Sequence, residues 1–247
     1  MPQLDGVGVG PLGVVRQRLI AEERAGREGL MVLHNAEVNP QCWAGVDVGG
    51  KRKGFHVAVL QGTQVTVAPE AKTDVTQVVR FLRSFRPAVV AVDAPQTPAE
   101  PGETSRQCER DFFRRRICHL YWTPPLTVIR RNPFYEWMKQ GFALYHALAA
   151  EDFEVIECFP TASWTVWHQP RGATRRAAWS RAALDQIRAA QALDGIPSGL
   201  GQDGRDAIGA ALTARSYSLG PFDRFGTLVV PRLVGDDQRE LVPKDHP

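Results

Sequence analysis

Ala44-Gly45-Val46-Asp47-Val48-Gly49-Gly50 is a short apolar run that carries one carboxylate and ends in two glycines. After the basic turn Lys51-Arg52-Lys53-Gly54 the chain becomes apolar again, as Phe55-His56-Val57-Ala58-Val59-Leu60. Two β-rich runs about a Gly/Lys turn predict a hairpin. Asp47 then stands in a central, mostly apolar strand. A carboxylate there is costly to desolvate unless a cation or hydrogen-bond donors meet it. The plainer alternative is an aspartate whose side chain caps a turn. Against that alternative, an acid at the edge of an apolar element occurs twice more in the chain.

Working outward, 61–63 turns into a third strand over 64–68. Val75, Val78, Val79, Leu82 and Phe85 recur at helical spacing before Pro87, which predicts a helix from Thr73. Ala88-Val89-Val90-Ala91-Val92-Asp93-Ala94-Pro95 reads as a buried parallel strand with a carboxylate at its C-terminal end. Residues 96–151 show no strand pattern and predict a helical insert that caps the carboxylate end of the sheet: helices over 105–116 and 134–150, separated by an aromatic, proline-broken stretch. Arg106, Arg110 and Arg114 fall at i, i+4 and i+8 of the first helix, one basic stripe. The stripe is either a solvated face offset by Glu109 and Asp111, or a nucleic-acid surface beside Tyr121, Trp122 and Trp137.

Residues 153–160 predict the next strand, in which Glu157 breaks the alternation near its end. A short helix starts at 161–164, and a long one follows over 177–192. The run 203–215 is a helix full of small residues, so it packs closely against a flat surface. Asp203 and Asp206 share a face of its first turn; Asp203 alone is also a plausible helix cap. Residues 225–230 predict a last short strand. Residues 1–41, with a helix over 14–28, read as an extension of the main domain at 42–231, and 232–247 as a loose tail.

The chain has 247 residues, 43% hydrophobic and 23% charged, enough for a substantial core. No run approaches the length of a membrane span, and no signal peptide is evident, so a cytoplasmic protein is expected. Cys42, Cys108, Cys118 and Cys158 lack zinc spacing and read as free thiols. Net charge is only +3, which does not by itself mark a nucleic-acid binder. Five of the 30 basic residues are lysine; the arginine bias suits bidentate phosphate contacts, and a GC-rich genome produces it equally.

Carboxylates thus stand on the first strand, the fourth strand and a late helix. Hard oxygen ligands of this kind hold Mg²⁺ or Mn²⁺, and two such ions about 3.5–4 Å apart drive phosphodiester hydrolysis. The order of elements resembles the ribonuclease H-like fold: an α/β mixed sheet flanked by helices, here with a helical insert after the fourth strand. Asp47, Asp93 and Asp206 fall where that superfamily places metal ligands, and Asp203-x-x-Asp206 resembles the helix pair of Holliday-junction resolvases of the RuvC type. More closely, Gly45-Val46-Asp47, Val92-Asp93-Ala94-Pro95, Arg106-x-Cys108-Glu109, Glu154-Val155-Ile156-Glu157-x-x-Pro160 and Asp206-Ala207-x-x-Ala210-Ala211 resemble the predicted nucleases called domain of unknown function 429, over about residues 43–231.

The resemblance implies a metal-dependent nuclease acting on DNA or RNA. Asp47, Asp93 and Asp206 would be its catalytic metal ligands. Asp203 or Glu157 would be a fourth ligand or a substrate contact. Independently of the resemblance, the i, i+4 stripe predicts that Arg106, Arg110 and Arg114 face the substrate. One departure is Gly204-Arg205 between the helix acids, which sets an arginine beside the implied metals. Two other functions fit parts of the pattern. A kinase or ATPase of the actin-like fold uses a similar glycine loop, but Lys51 replaces the usual hydroxyl residue and no second nucleotide loop is present. A non-catalytic module of the same fold would keep the arginines without needing all three aspartates. A serine hydrolase is disfavoured, because no Gly-x-Ser-x-Gly elbow exists. His56 lies on the second strand, near Asp47 or facing outward, and reads as a core or surface histidine.

Overall fold

The computed structural model describes residues 41–233. The expected helix over 14–28 and almost all of the expected extension and tail lie outside them. The hairpin forms as expected: β1 (Cys42–Val48) pairs antiparallel with β2 (Phe55–Gln61). Its turn is closed by the Gly49 N–H donating to the Gly54 carbonyl at 2.8 Å, with Gly54 at φ +67°, a backbone conformation that favours glycine. β3 (Gln64–Lys72) continues the meander and runs four residues beyond the expected end. Asp74 caps α1 (Val75–Phe85) by accepting from the Gln77 N–H at 2.9 Å. β4 (Val89–Asp93) then returns parallel to β1.

Between β4 and β5 (Val155–Cys158) the regular elements are helical: α2 (Gln107–Arg114), α3 (Leu126–Arg131), a 3₁₀ turn (Pro133–Tyr135) and α4 (Glu136–Ala149). α3 lies inside the stretch expected to be irregular. After β5 come α5 (Pro160–Trp167), α6 (Arg176–Ala190) and α7 (Gln202–Leu219). The chain closes with β6 (Phe222–Phe225) and β7 (Leu228–Pro231), a hairpin about Gly226 where one strand was expected. Strands this short carry little periodicity to read.

The sheet order is β3-β2-β1-β4-β5-β7-β6. The first three strands are antiparallel, and β4 and β5 are parallel to β1. This is the ribonuclease H-like arrangement, with β7 added parallel to β5. Alternation along each strand divides the core into two layers. Ala44, Val46 and Val48 pack with Val90, Val92 and the helices α1 and α4. Trp43, Ala58, Leu60, Ala91 and Ile156 pack with α5, α6 and α7 on the other face. Leu144, Tyr145 and Leu148 place α4 in the first layer, so it belongs to the body of the domain and not to a cap over the sheet edge.

α7 is the element whose position matters most. It lies against β1 with Ala207, Ala210, Ala211 and Ala214 fully or almost fully buried. A Cβ on Gly45 would sit 2.1 Å from the Ala207 carbonyl oxygen and 2.1 Å from the Ala211 amide nitrogen. Only glycine lets the helix backbone touch the strand, and that contact carries the acids of α7 to the end of the sheet.

Candidate metal centre

Asp47 is paired in register with Asp93 on β4 and with His56 on β2. Directly paired residues share a face of the sheet, so three polar side chains stand in a row, Asp93, Asp47, His56, on the face covered by α7. Asp206 descends onto that row from the helix. One oxygen each of Asp47, Asp93 and Asp206 lies within 4.8 Å of the others. A second group with the same spacing joins Asp47 to His56 and Asp203, so Asp47 is common to both. The His56 Nδ1 is buried and has no hydrogen-bond partner among the described residues. Sequence reasoning left His56 either near Asp47 or facing outward, without a role; the hairpin register was the signal that sets it in the row.

The carboxylates are not equally supported. Asp206 is held firmly: Trp164 Nε1 donates to Oδ1 at 3.2 Å, Gln202 Nε2 to both oxygens at 2.9 Å, and the Arg176 guanidinium to Oδ2 at 2.8 Å. Asp203 meets the Lys53 ammonium at 3.0 Å. It lies in the first turn of α7, whose cap is Gly201, so it is not the helix cap. Asp93 and Asp47 sit side by side on adjacent parallel strands and bring carboxyl oxygens within 4.8 Å of each other. Burial, then the Asp206 charge, pushes Asp93 up to about 8, outweighing the opposing pull of Arg176. Burial, then Asp93, Asp206 and Asp203, holds Asp47 well above the usual carboxylate range. Burial also raises Asp206, against Arg176, Gln202 and Trp164.

Partly desolvated acids crowded within contact range, with one guanidinium for three carboxyls, are short of positive charge. Hard oxygen donors in that state suit a divalent ion such as Mg²⁺ or Mn²⁺. The donor set therefore fits the metal that the fold implies.

Three expectations are corrected. Glu157 pairs in register with Val92, which packs on the α1/α4 face, away from the aspartate row. Its carboxylate accepts from Arg106 Nη1 at 2.7 Å and Nη2 at 2.5 Å, the Gln96 N–H at 3.0 Å and Thr227 Oγ1 at 2.8 Å. It is fully engaged and joins neither acid group. The arginine stripe is not one surface. Arg106 is buried between Glu109 and Glu157, whereas Arg110 is tied to Glu103 and the Ser105 carbonyl, and Arg114 to Asp111. Arg205 turns away to Ser180, Gln202 and the Leu200 carbonyl. The arginine at the acids is Arg176, the first residue of α6, which sequence reasoning missed.

Solved structures that resemble the chain include two of RuvC. RuvC of Thermus thermophilus in complex with a Holliday junction substrate is 18% identical with a TM-score of 0.43, covering 73% of this chain and 96% of that one. A second structure of Thermus thermophilus RuvC is 17% identical with a TM-score of 0.41, covering 72% and 95%. No curated protein matches the chain. Among the described residues no helix is long and apolar enough to cross a membrane. The sequence profile of one family matches residues 45–227, most of the chain, and the protein belongs to that family, described as Protein of unknown function (DUF429).

Proposed function

We propose that this protein is a divalent-metal-dependent nuclease that hydrolyses phosphodiester bonds in DNA or RNA. The observation that carries the reading is the convergence of Asp47, Asp93 and Asp206 within 4.8 Å, in a setting that penalises their charge. Asp47, shared by both acid groups, would hold the metal with Asp93 and Asp206, with His56 and Asp203 as further ligands. Bound Mg²⁺ or Mn²⁺ would supply Lewis-acid activation of water and neutralise charge at the phosphate.

The chain's own groups prepare that chemistry. Gln202 and Trp164 fix the orientation of the Asp206 carboxylate. The Arg176 guanidinium, about half exposed, stands at the rim where a phosphate would approach. A phosphate cradle of the kinase type finds no support in the glycine turn, where the Gly49, Lys53 and Gly54 N–H groups are spent on backbone carbonyls.

Melting with and without Mn²⁺, together with cleavage of labelled DNA and RNA, tests the proposal. An ion that binds only the native state at 100 times its Kd stabilises by about 2.7 kcal/mol, or roughly 5–10 °C for a domain of this size. Asp47→Asn removes charge but keeps shape. It should abolish cleavage and the metal shift, while the metal-free variant melts at or above the wild-type temperature because repulsion is relieved. If wild type shows neither a metal shift nor cleavage, the nuclease reading fails and a non-catalytic binding module takes its place.

A further inference from the structure

We infer that the insert carries a stacking platform for unpaired bases, so that the nucleic acid is single-stranded where it passes the metal centre; this rests on the proposed nuclease function and narrows its substrate. Four large aromatic side chains on this segment are exposed: Tyr121 by 72%, Phe134 by 60%, Phe113 by 53% and Trp122 by 39%. They fall into two contacting sets whose members Tyr121 and Trp122 are adjacent in sequence. Phe113 meets Trp122 with ring centres 5.6 Å apart, while Tyr121 meets His119 at 5.8 Å and Phe134 at 6.5 Å, and Phe134 meets Tyr135 at 5.1 Å. Isolated exposed apolar residues are ordinary, but exposed rings clustered in this way mark a binding surface.

Charge identifies the occupant. Arg116, Arg130 and Arg131 flank the rings, are exposed, and make no ion pair among the described residues. The acids nearest in sequence are already engaged: Asp111 with Arg114, and Glu136 with Lys139 and Lys51. Stacking faces interleaved with free guanidinium groups suit a single strand, which offers base faces and phosphates together. A duplex hides its base faces and would leave the rings unused.

The platform also reaches the acids. Tyr121 borders the cavity that contains Asp93. It borders as well a groove of about 490 Å³, shared with His119, Phe159, Thr161, Arg171 and Arg176. That volume is within the roughly 300–1,000 Å³ range of binding clefts. Arg176 is the residue bonded to Asp206, so a strand lying in the groove runs from the rings to the metal centre.

Fluorescence anisotropy in EDTA tests this without turnover, using one labelled oligonucleotide as single-stranded DNA, as single-stranded RNA, and as a blunt DNA duplex. Wild type should prefer the single strands. Tyr121→Ala with Phe134→Ala should weaken single-strand binding by at least roughly 10-fold, since each stacked ring is worth about 5- to 150-fold, and should change duplex binding less than about twofold. Tyr121→Phe should retain affinity. Quenching of tryptophan fluorescence by the single strand in the unmutated protein gives a readout that needs no variant to fold. Tight binding that ignores the alanine changes, or a loss equal on single strand and duplex, overturns the platform and leaves the nuclease reading standing. No binding of any of the three probes overturns the platform, while cleavage in Mn²⁺ decides the nuclease reading separately.

Discussion

Two buried groups of charged side chains lie on opposite faces of the sheet, and they are built on opposite principles. Around Arg106, two glutamates share one guanidinium, yet every carboxylate oxygen is met. Glu157 is bonded as described above. Glu109 accepts from Arg106 Nε at 3.0 Å, the Arg106 N–H at 3.0 Å, and the N–H and hydroxyl of Thr123. Around Asp47, three aspartates share one half-exposed guanidinium, and the Asp47–Asp93 contact is between two acids. The first group is complete and fixes the insert to the sheet. The second is short of donors and positive charge, a deficit the protein cannot correct with its own residues. Burial of charge alone does not mark a functional site; unmet charge does.

The largest effect should come from breaking the complete group. Arg106→Leu leaves Glu109 and Glu157 buried without their cation, and removal of one partner from a buried pair costs about 3–5 kcal/mol. Urea unfolding should show that loss, and Mn²⁺ should not recover it. Asp47→Asn should show no comparable loss. If both substitutions destabilised equally, the contrast between the groups would disappear.

Much of this was legible in the sequence because the signals are local. Alternation in β1 and β4 and the terminal position of Asp93 place two acids on one edge, and the small residues of α7 announce close packing that brings Asp206 to them. Gly45 completes that signal. Other features depend on contacts that no local pattern contains. Arg176 is one arginine among many in a basic loop, and it reaches Asp206 thirty residues on. The arginine spacing does not reveal that Arg106 is the cap of α2, buried against Glu157, so that the three arginines share no face. The side on which Glu157 lies was in principle readable: it alternates with Ile156 and Cys158, which pack in the α7 layer, so Glu157 points the other way.

A smaller effect should appear in the pH dependence of the metal-free protein. Asp93 holds its proton up to about 8, against an ordinary 3.8. Between those values the native state binds a proton that the unfolded chain has released, so stability falls as pH rises. The contribution is complete below about pH 4 and lost as pH passes through about 8. Melting temperature should decline from pH 5 to 8, and Asp93→Asn should flatten the decline. Metal uptake near pH 7 should release protons, which calorimetry in buffers of differing ionisation enthalpy would detect. A flat profile in wild type would mean that the Asp47 group is as well satisfied as the Arg106 group.

The smallest effect on stability belongs to Arg176→Gln. The Arg176 side chain is 47% exposed and its partner Asp206 only 2%, so its loss should cost less than the about 3–5 kcal/mol of a fully buried pair. Asp206 would keep its bonds from Trp164 and Gln202, so the metal-free protein should melt within a few degrees of wild type. The consequence for metal has a definite sign. Arg176 opposes any cation entering between the aspartates, and its removal deepens the negative potential there. Mn²⁺ should therefore bind more tightly to Arg176→Gln than to wild type, while cleavage at saturating Mn²⁺ should fall because the phosphate loses its guanidinium partner. Weaker Mn²⁺ binding would show instead that Arg176 is needed to hold Asp206 in place. The rim of the second group would then be built like the first, as a fixed network, and its charge deficit would be smaller than the carboxylates alone imply.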